Sequence, residues 1–258
     1  IGIALQTKYR ESTGKNLQTD GIIKASQEGF QPVVVAPISA KFLLDHIAEE
    51  HLGLGIEAIR YYDLDYNFQP DSRSLEMLVK KLQNQGKIAV ASIIFGGDCT
   101  RGIMNSNVKE LSYVFRASGQ KPLTVVDASS QWLVGAATRK GSVYDFSNPD
   151  VDMLIGDPQK VGFPYGTSYL FIRNSQLFNS FQDTPSGWLD PALDVPKHSL
   201  MLSRGFTGDF ALITFLAYYG TEGLKKKGEH NFELAEIVRD YIRNSSILEL
   251  YACDGRMV

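Results

Sequence analysis

Two side chains in this sequence have the types and placement to do chemistry together, Asp127 and Lys160. Asp127 ends the apolar run Val125-Val126-Asp127, and Lys160 follows shortly after a second run, Met153-Leu154-Ile155-Gly156-Asp157. Short apolar runs that stop at an acid read as buried parallel strands. Open α/β sheets collect their ligands at the carboxyl ends of such strands. A primary amine can condense with an aldehyde, and a carboxylate can hold a proton on a heteroaromatic ring nitrogen. Brought to one sheet edge, the two suit a ligand that carries both groups. Taken singly, a lysine near a strand end is usually solvated and an aspartate there caps a turn. The surrounding sequence has to decide.

The elements that would position the pair follow from the hydrophobic pattern. An opening helix over Ile1–Arg10 is followed by Asn16–Gly29, a polar, loop-like stretch with Gly14, Gly21 and Gly29 in or beside it. Pro32–Ala36 reads as a short buried strand, then a helix from about Ser39 to Leu52 with Ser39 as its N-cap and Gly53 as its stop. Ile56–Tyr62 reads as a strand, and Asp71–Gln85 as a helix with Leu75, Leu78, Val79 and Leu82 on one face. Lys87–Phe95, Leu123–Asp127, Val151–Ile155 and Thr167–Ile172 read as further strands, with a helix over Ser106–Ala117. This alternation predicts an α/β fold, a mostly parallel sheet flanked by helices.

Asn174–Leu200, with Pro185, Pro191 and Pro196, is too long for an ordinary connection and reads as a functional loop or linker. Two helices then follow, Gly208–Tyr219 and Glu229–Arg243, with the solvated run Lys225-Lys226-Lys227 at their junction. SILELY near the end reads as a fresh strand, and both ends look cut.

The chain has 258 residues, 43% hydrophobic and 21% charged, enough to bury a substantial core. A net charge of −3 gives no electrostatic reason to expect nucleic acid or an anionic membrane surface. No apolar segment approaches membrane-spanning length. Cys99 and Cys253 form no disulfide framework, which fits a cytoplasmic setting. His46 and His51 do not share a helix face, so no metal pair is expected, and no dinucleotide fingerprint or serine nucleophile elbow is present. Trp132 and Trp188 read as packing residues, with Trp188 a candidate for a substrate entrance.

The words around the two residues are more specific than their spacing. VVDASSQW and GDPQKVGFPYG resemble the segments that carry the ring-nitrogen aspartate and the cofactor lysine in the group II pyridoxal-phosphate-dependent decarboxylases. That family has the fold type I, aspartate-aminotransferase-like architecture and includes relatives of tyrosine decarboxylase and sphingosine-phosphate lyase. Leu52-Gly53-Leu54-Gly55, Gly97–Gly102 and Ser203-Arg204-Gly205 support the likeness in the family's order.

The resemblance implies pyridoxal 5'-phosphate as cofactor, Lys160 as its Schiff-base lysine and Asp127 opposite the pyridinium nitrogen. Ser129 matches the position beneath the ring. Phe42 falls where the family stacks a histidine, with His46 one helical turn further on; Gln159 stands where a histidine precedes the lysine. Phenylalanine can stack but cannot exchange a proton, whereas Gln159 can still donate to phosphate.

The family's phosphate loop would lie upstream of residue 1. Residues 1–225 would form the cofactor-binding large domain without its N-terminal part, and 226–258 the start of a small C-terminal domain. The implied activity is amino-acid decarboxylation in a homodimer with a shared active site. Two alternatives are a carbon–carbon lyase of the sphingosine-phosphate lyase type and a non-catalytic homologue.

Overall fold

The fold is described from a computed structural model, which defines residues 1–48, 52–98, 103–104, 108–129, 145–157, 168–179 and 207–250. Six strands form one sheet: β1 (Pro32–Pro37), β2 (Ile59–Tyr62), β3 (Ile88–Phe95), β6 (Leu123–Asp127), β7 (Met153–Gly156) and β8 (Tyr169–Ile172). Their order is β2-β1-β3-β6-β7-β8. All neighbouring pairs are parallel except β7 with β8. Between β3 and β6, the two-residue strands β4 (Gly97–Asp98) and β5 (Ile103–Met104) pair antiparallel.

Helices cover both faces, as the alternation predicts. One core gathers Ala4, Leu5 and Tyr9 of α1 (Gly2–Thr13), Ala25 of α2 (Leu17–Gln27) and Leu44 of α3 (Lys41–His46) against Val34, Val90, Ile93 and Val125. The other packs Leu75, Val79 and Leu82 of α4 (Ser72–Asn84) and Leu111 and Phe115 of α5 (Val108–Ala117) against Val33, Val35, Ile94 and Val126. Alternate residues of one strand therefore serve opposite cores, the mark of a sheet buried on both sides. Burying each Leu or Val side chain contributes roughly 1.5–3 kcal/mol relative to leaving it exposed. The middle of the sheet is its most firmly held part.

Several boundaries differ from the sequence reading. The stretch 17–27 is helical because the Asn16 side chain caps the Gln18 N–H (2.8 Å) and Gln6 Oε1 accepts from the Leu17 N–H. The glycines punctuate it: Gly14 (φ 72°) ends α1, and Gly21 (φ 74°) breaks α2 internally. Ser39 is not an N-cap, because a 3-10 turn over Ile38–Ala40 leads into α3. Another 3-10 turn, Ile56–Ala58, precedes β2.

A short helix, α6 (Ser175–Asn179), opens the stretch read as a loop. The helical span α7 (Thr207–Arg243) holds the two expected C-terminal helices, divided at the non-helical Gly220 (φ 58°, ψ −174°): the first ends where the sequence reading put it, and the second begins just after Gly220 instead of at Glu229. Its lysines and glutamates sustain a helix that shows no apolar stripe there. Residues 246–250 form no strand.

Candidate active site

Because β1, β2, β3, β6 and β7 run parallel, their carboxyl ends share one edge. Sheet growth reverses at β1, which lies between β2 and β3, and such a switch point opens a crevice for ligands. Asp127 is the last residue of β6, near the middle of this edge. The register sets it between Phe95 of β3 and Ile155 of β7. Val125 belongs to the core under α1, α2 and α3, so Asp127, two residues on, stands on the same face.

The main chain locks these tips together. The Gly96 N–H donates to the Asp127 carbonyl (2.8 Å), and the Ala128 N–H donates to that of Ile155 (3.0 Å). Asp127 Oδ1 accepts from the Ser129 N–H at 2.9 Å, a local turn that fixes the carboxylate's orientation. Asp127 and Ser129 are half-buried. Among the described residues no cation pairs with Asp127. The result is an oriented, half-buried charge with no neutralising partner among the described residues, and a protonated ring nitrogen fits that need. A second acid, Asp157, lies just past the tip of β7 and is buried, with a partner of its own.

Phe42 sits on α3, past the tip of β1, and α3 packs on the same face as Asp127. Only β3 separates β1 from β6, so two interstrand spacings, about 10 Å, lie between the tips. Phe42 is 72% exposed. Its helix is pinned by Lys41 and Tyr61, which both bond Asp45 (2.5 and 2.7 Å), and by Lys41 over the Tyr61 ring. Lys41, then Tyr61, holds the Asp45 carboxyl below its usual value. Burial, with Asp45 beside it, pushes the Tyr61 hydroxyl up. His46 ends α3 and is exposed, with an interaction of its own.

Of the residues named from the sequence, the structure brings Asp127 and Ser129 together and puts Phe42 on their face of the sheet. Lys160 and Gln159 lie outside the described residues, as do Cys99, Trp132, Trp188, His51, Cys253 and Ser203–Gly205. Phe95 and Ile155 were missed. Each stands at the end of an apolar run that the sequence shows, but which strand neighbours which is not written in the runs.

Two clefts among the described residues lie at the opposite edge, by the starts of the strands. One, about 530 Å³, is lined by Ile22, Pro32, Leu54 and Lys87; the other, about 410 Å³, by Lys8, Gln83, Ile88 and Lys121. Neither touches Asp127.

No protein-family model and no curated protein sequence matches the chain. Solved structures do share its fold. Mouse CSAD superposes with a TM-score of 0.76 at 17% identity, over 97% of this chain and 52% of that one. Catharanthus roseus tryptophan decarboxylase in complex with L-tryptophan gives 0.73 at 16%, over 96% and 50%. Oryza sativa TDC with PLP and tryptamine gives 0.67 at 17%, over 94% and 49%. The chain spans about half the length of these structures. The fold expected from the sequence resemblance is thus borne out, in the architecture of decarboxylase structures.

Proposed function

We propose that the chain contributes the cofactor-binding part of a pyridoxal-phosphate-dependent amino-acid decarboxylase. The observation that carries this reading is the Asp127 carboxylate, oriented by the Ser129 N–H at the centre of the ligand-binding edge and paired with no described cation. Support comes from the fold shared with a structure named as a tryptophan decarboxylase and with Oryza sativa TDC, solved with PLP and tryptamine.

Pyridoxal phosphate supplies an aldehyde that condenses with amines and a protonated ring that accepts the electron pair released at the substrate Cα. Asp127 would keep the proton on the ring nitrogen, since an opposite charge in a weakly polar setting favours the cationic form. Lys160 would be the amine that binds the aldehyde, and Gln159 would donate its amide to the phosphate. Phe42 would lie against the ring face, offering overlap without proton exchange. Ser129 would orient Asp127 through its backbone N–H and hold the space beneath the ring with a small side chain. Overall, an α-amino acid would lose its carboxylate as carbon dioxide, and Cα would take up a proton.

The finer expectations belong to the same reading. A second copy would complete the pocket in a cytoplasmic homodimer. The small domain would begin at residue 226, which lies within α7. No helix among the described residues is long and apolar enough to cross a membrane.

Phe42 and Gln159, where the family places histidines, favour a second reading: a homologue that binds the cofactor without turning over. The test is to add pyridoxal phosphate to the protein, record the visible spectrum and supply a panel of amino acids. A visible band that is lost in Lys160→Ala, with carbon dioxide released from one amino acid, is the expected result. A band without carbon dioxide favours the non-catalytic homologue. Aldehyde from a phosphorylated sphingoid base, without carbon dioxide, favours the lyase. No band in the unaltered protein overturns the cofactor reading.

A further inference from the structure

The register at the ligand-binding edge assigns a role to a residue that the sequence motifs pass over. We infer that Phe95 is a positioning residue for Asp127, walling one side of its carboxylate against water, with Ile155 as the wall on the other side. The inference rests on the proposed function and deepens it. It says why this aspartate would select a cationic, flat heteroaromatic ring over a neutral one.

In a parallel ladder, register partners present their side chains on the same face. Ile93 and Val125 are partners and lie in one core; Phe95 and Asp127 are the next pair on that face. On the other side Val125 pairs with Met153 and Asp127 with Ile155, and again the first pair is in that core. Phe95 and Ile155 are half-buried and pack against it, so both are held from beneath. The Gly96–Asp127 and Ala128–Ile155 backbone bonds keep the three tips level. The register therefore sets the carboxylate in a notch with apolar walls, and among the described residues its one hydrogen bond comes from its own turn, through the Ser129 N–H.

Such a notch acts on charge in two ways. Excluding water disfavours an unpaired carboxylate, and it strengthens the attraction to a cation that fills the notch. A protonated ring nitrogen gains from both; a neutral ring gains from neither. Opening one wall to water should therefore weaken the hold on the ring proton, not merely the packing.

The experiment measures the affinity for pyridoxal phosphate across pH in the unaltered protein, in Phe95→Ser and in Phe95→Leu, with circular dichroism confirming the fold. The expected result is that affinity in Phe95→Ser begins to fall at a pH about one unit lower, a tenfold weaker hold on the ring proton. Phe95→Leu, which keeps an apolar wall, should restore most of the range. If Phe95→Ser does not fold, Ile155→Thr carries the same test from the other side of Asp127. A loss of affinity that is equal at every pH would reduce Phe95 to packing and overturn the inference while leaving the proposed function standing. Absence of binding by the unaltered protein would overturn both.

Discussion

The two ends of the same parallel strands treat their polar groups differently. At the amino-terminal ends these groups are used up inside the chain. Gln120 accepts from the Ala89 N–H (2.8 Å) and donates to the Lys87 carbonyl (3.3 Å). Asp152 Oδ2 accepts from the Thr124 N–H (2.8 Å). Arg173 donates to the carbonyls of Val151, Phe146 and Asn148 and lies over the Phe146 ring. At the carboxyl-terminal ends the Asp127 side chain has a single local bond among the described residues. Polar groups that close backbone gaps have finished their work in the folded chain. Under the proposed function, a charge that is aimed and left without a described counter-charge is the group that meets a ligand. The two clefts described lie at the amino-terminal edge, yet the charge without a described partner lies at the other edge.

The sharpest break of this contrast comes from Asp127→Ala. Amine formation should fall by roughly a hundredfold or more, the scale seen when one aimed electrostatic group is removed. The far-ultraviolet spectrum should be unchanged, because the side chain holds only its own turn. Between the two ends lies the core shared by both. Leu111→Ala, at a fully buried position, should cost about 2–5 kcal/mol in a urea titration, while the fraction that remains folded binds cofactor normally.

At the amino-terminal ends Arg173→Ala should cost on the order of 1–3 kcal/mol, from carbonyls left without their donor, again with no change in cofactor affinity. The smallest effect is expected from Asp152. Burial, first of all, raises its carboxyl above the ordinary value, against the lowering hydrogen bond from Thr124. The folded chain then binds a proton more tightly than the unfolded chain. Stability from this group is present at low pH and falls as pH rises through the unfolded and then the folded pKa. Asp152→Asn, which cannot ionise, should flatten that decline and leave the protein slightly more stable at neutral pH, as read from melting curves across pH.

Much of the frame was legible in the sequence because apolar runs carry it. β6 was found to the residue, since Leu123–Asp127 is bounded by Pro122 and by an acid. α4 was found because Leu75, Val79 and Leu82 recur at helical steps. α2 was missed because it shows no apolar stripe: beside the local Asn16 cap, Gln6 on α1 accepts from the Leu17 N–H, and Ala25 alone is fully buried. The run at 246–250 has strand-forming residues but opens in a bend, where the Ile247 and Leu248 N–H groups donate to Ser245 Oγ, and it joins no sheet. At the site, Asp127 was legible as a word in a motif. Phe95 and Ile155 were not, because their relation to Asp127 is a matter of which strands are neighbours and in what register.

The claim on which the rest depends is that Asp127 holds the proton on a pyridine nitrogen. Nitrogen NMR of the protein loaded with ring-¹⁵N pyridoxal phosphate reads that proton directly. The account predicts a protonated ring nitrogen in the unaltered protein and an unprotonated one in Asp127→Asn. The same protonated signal in both would contradict it.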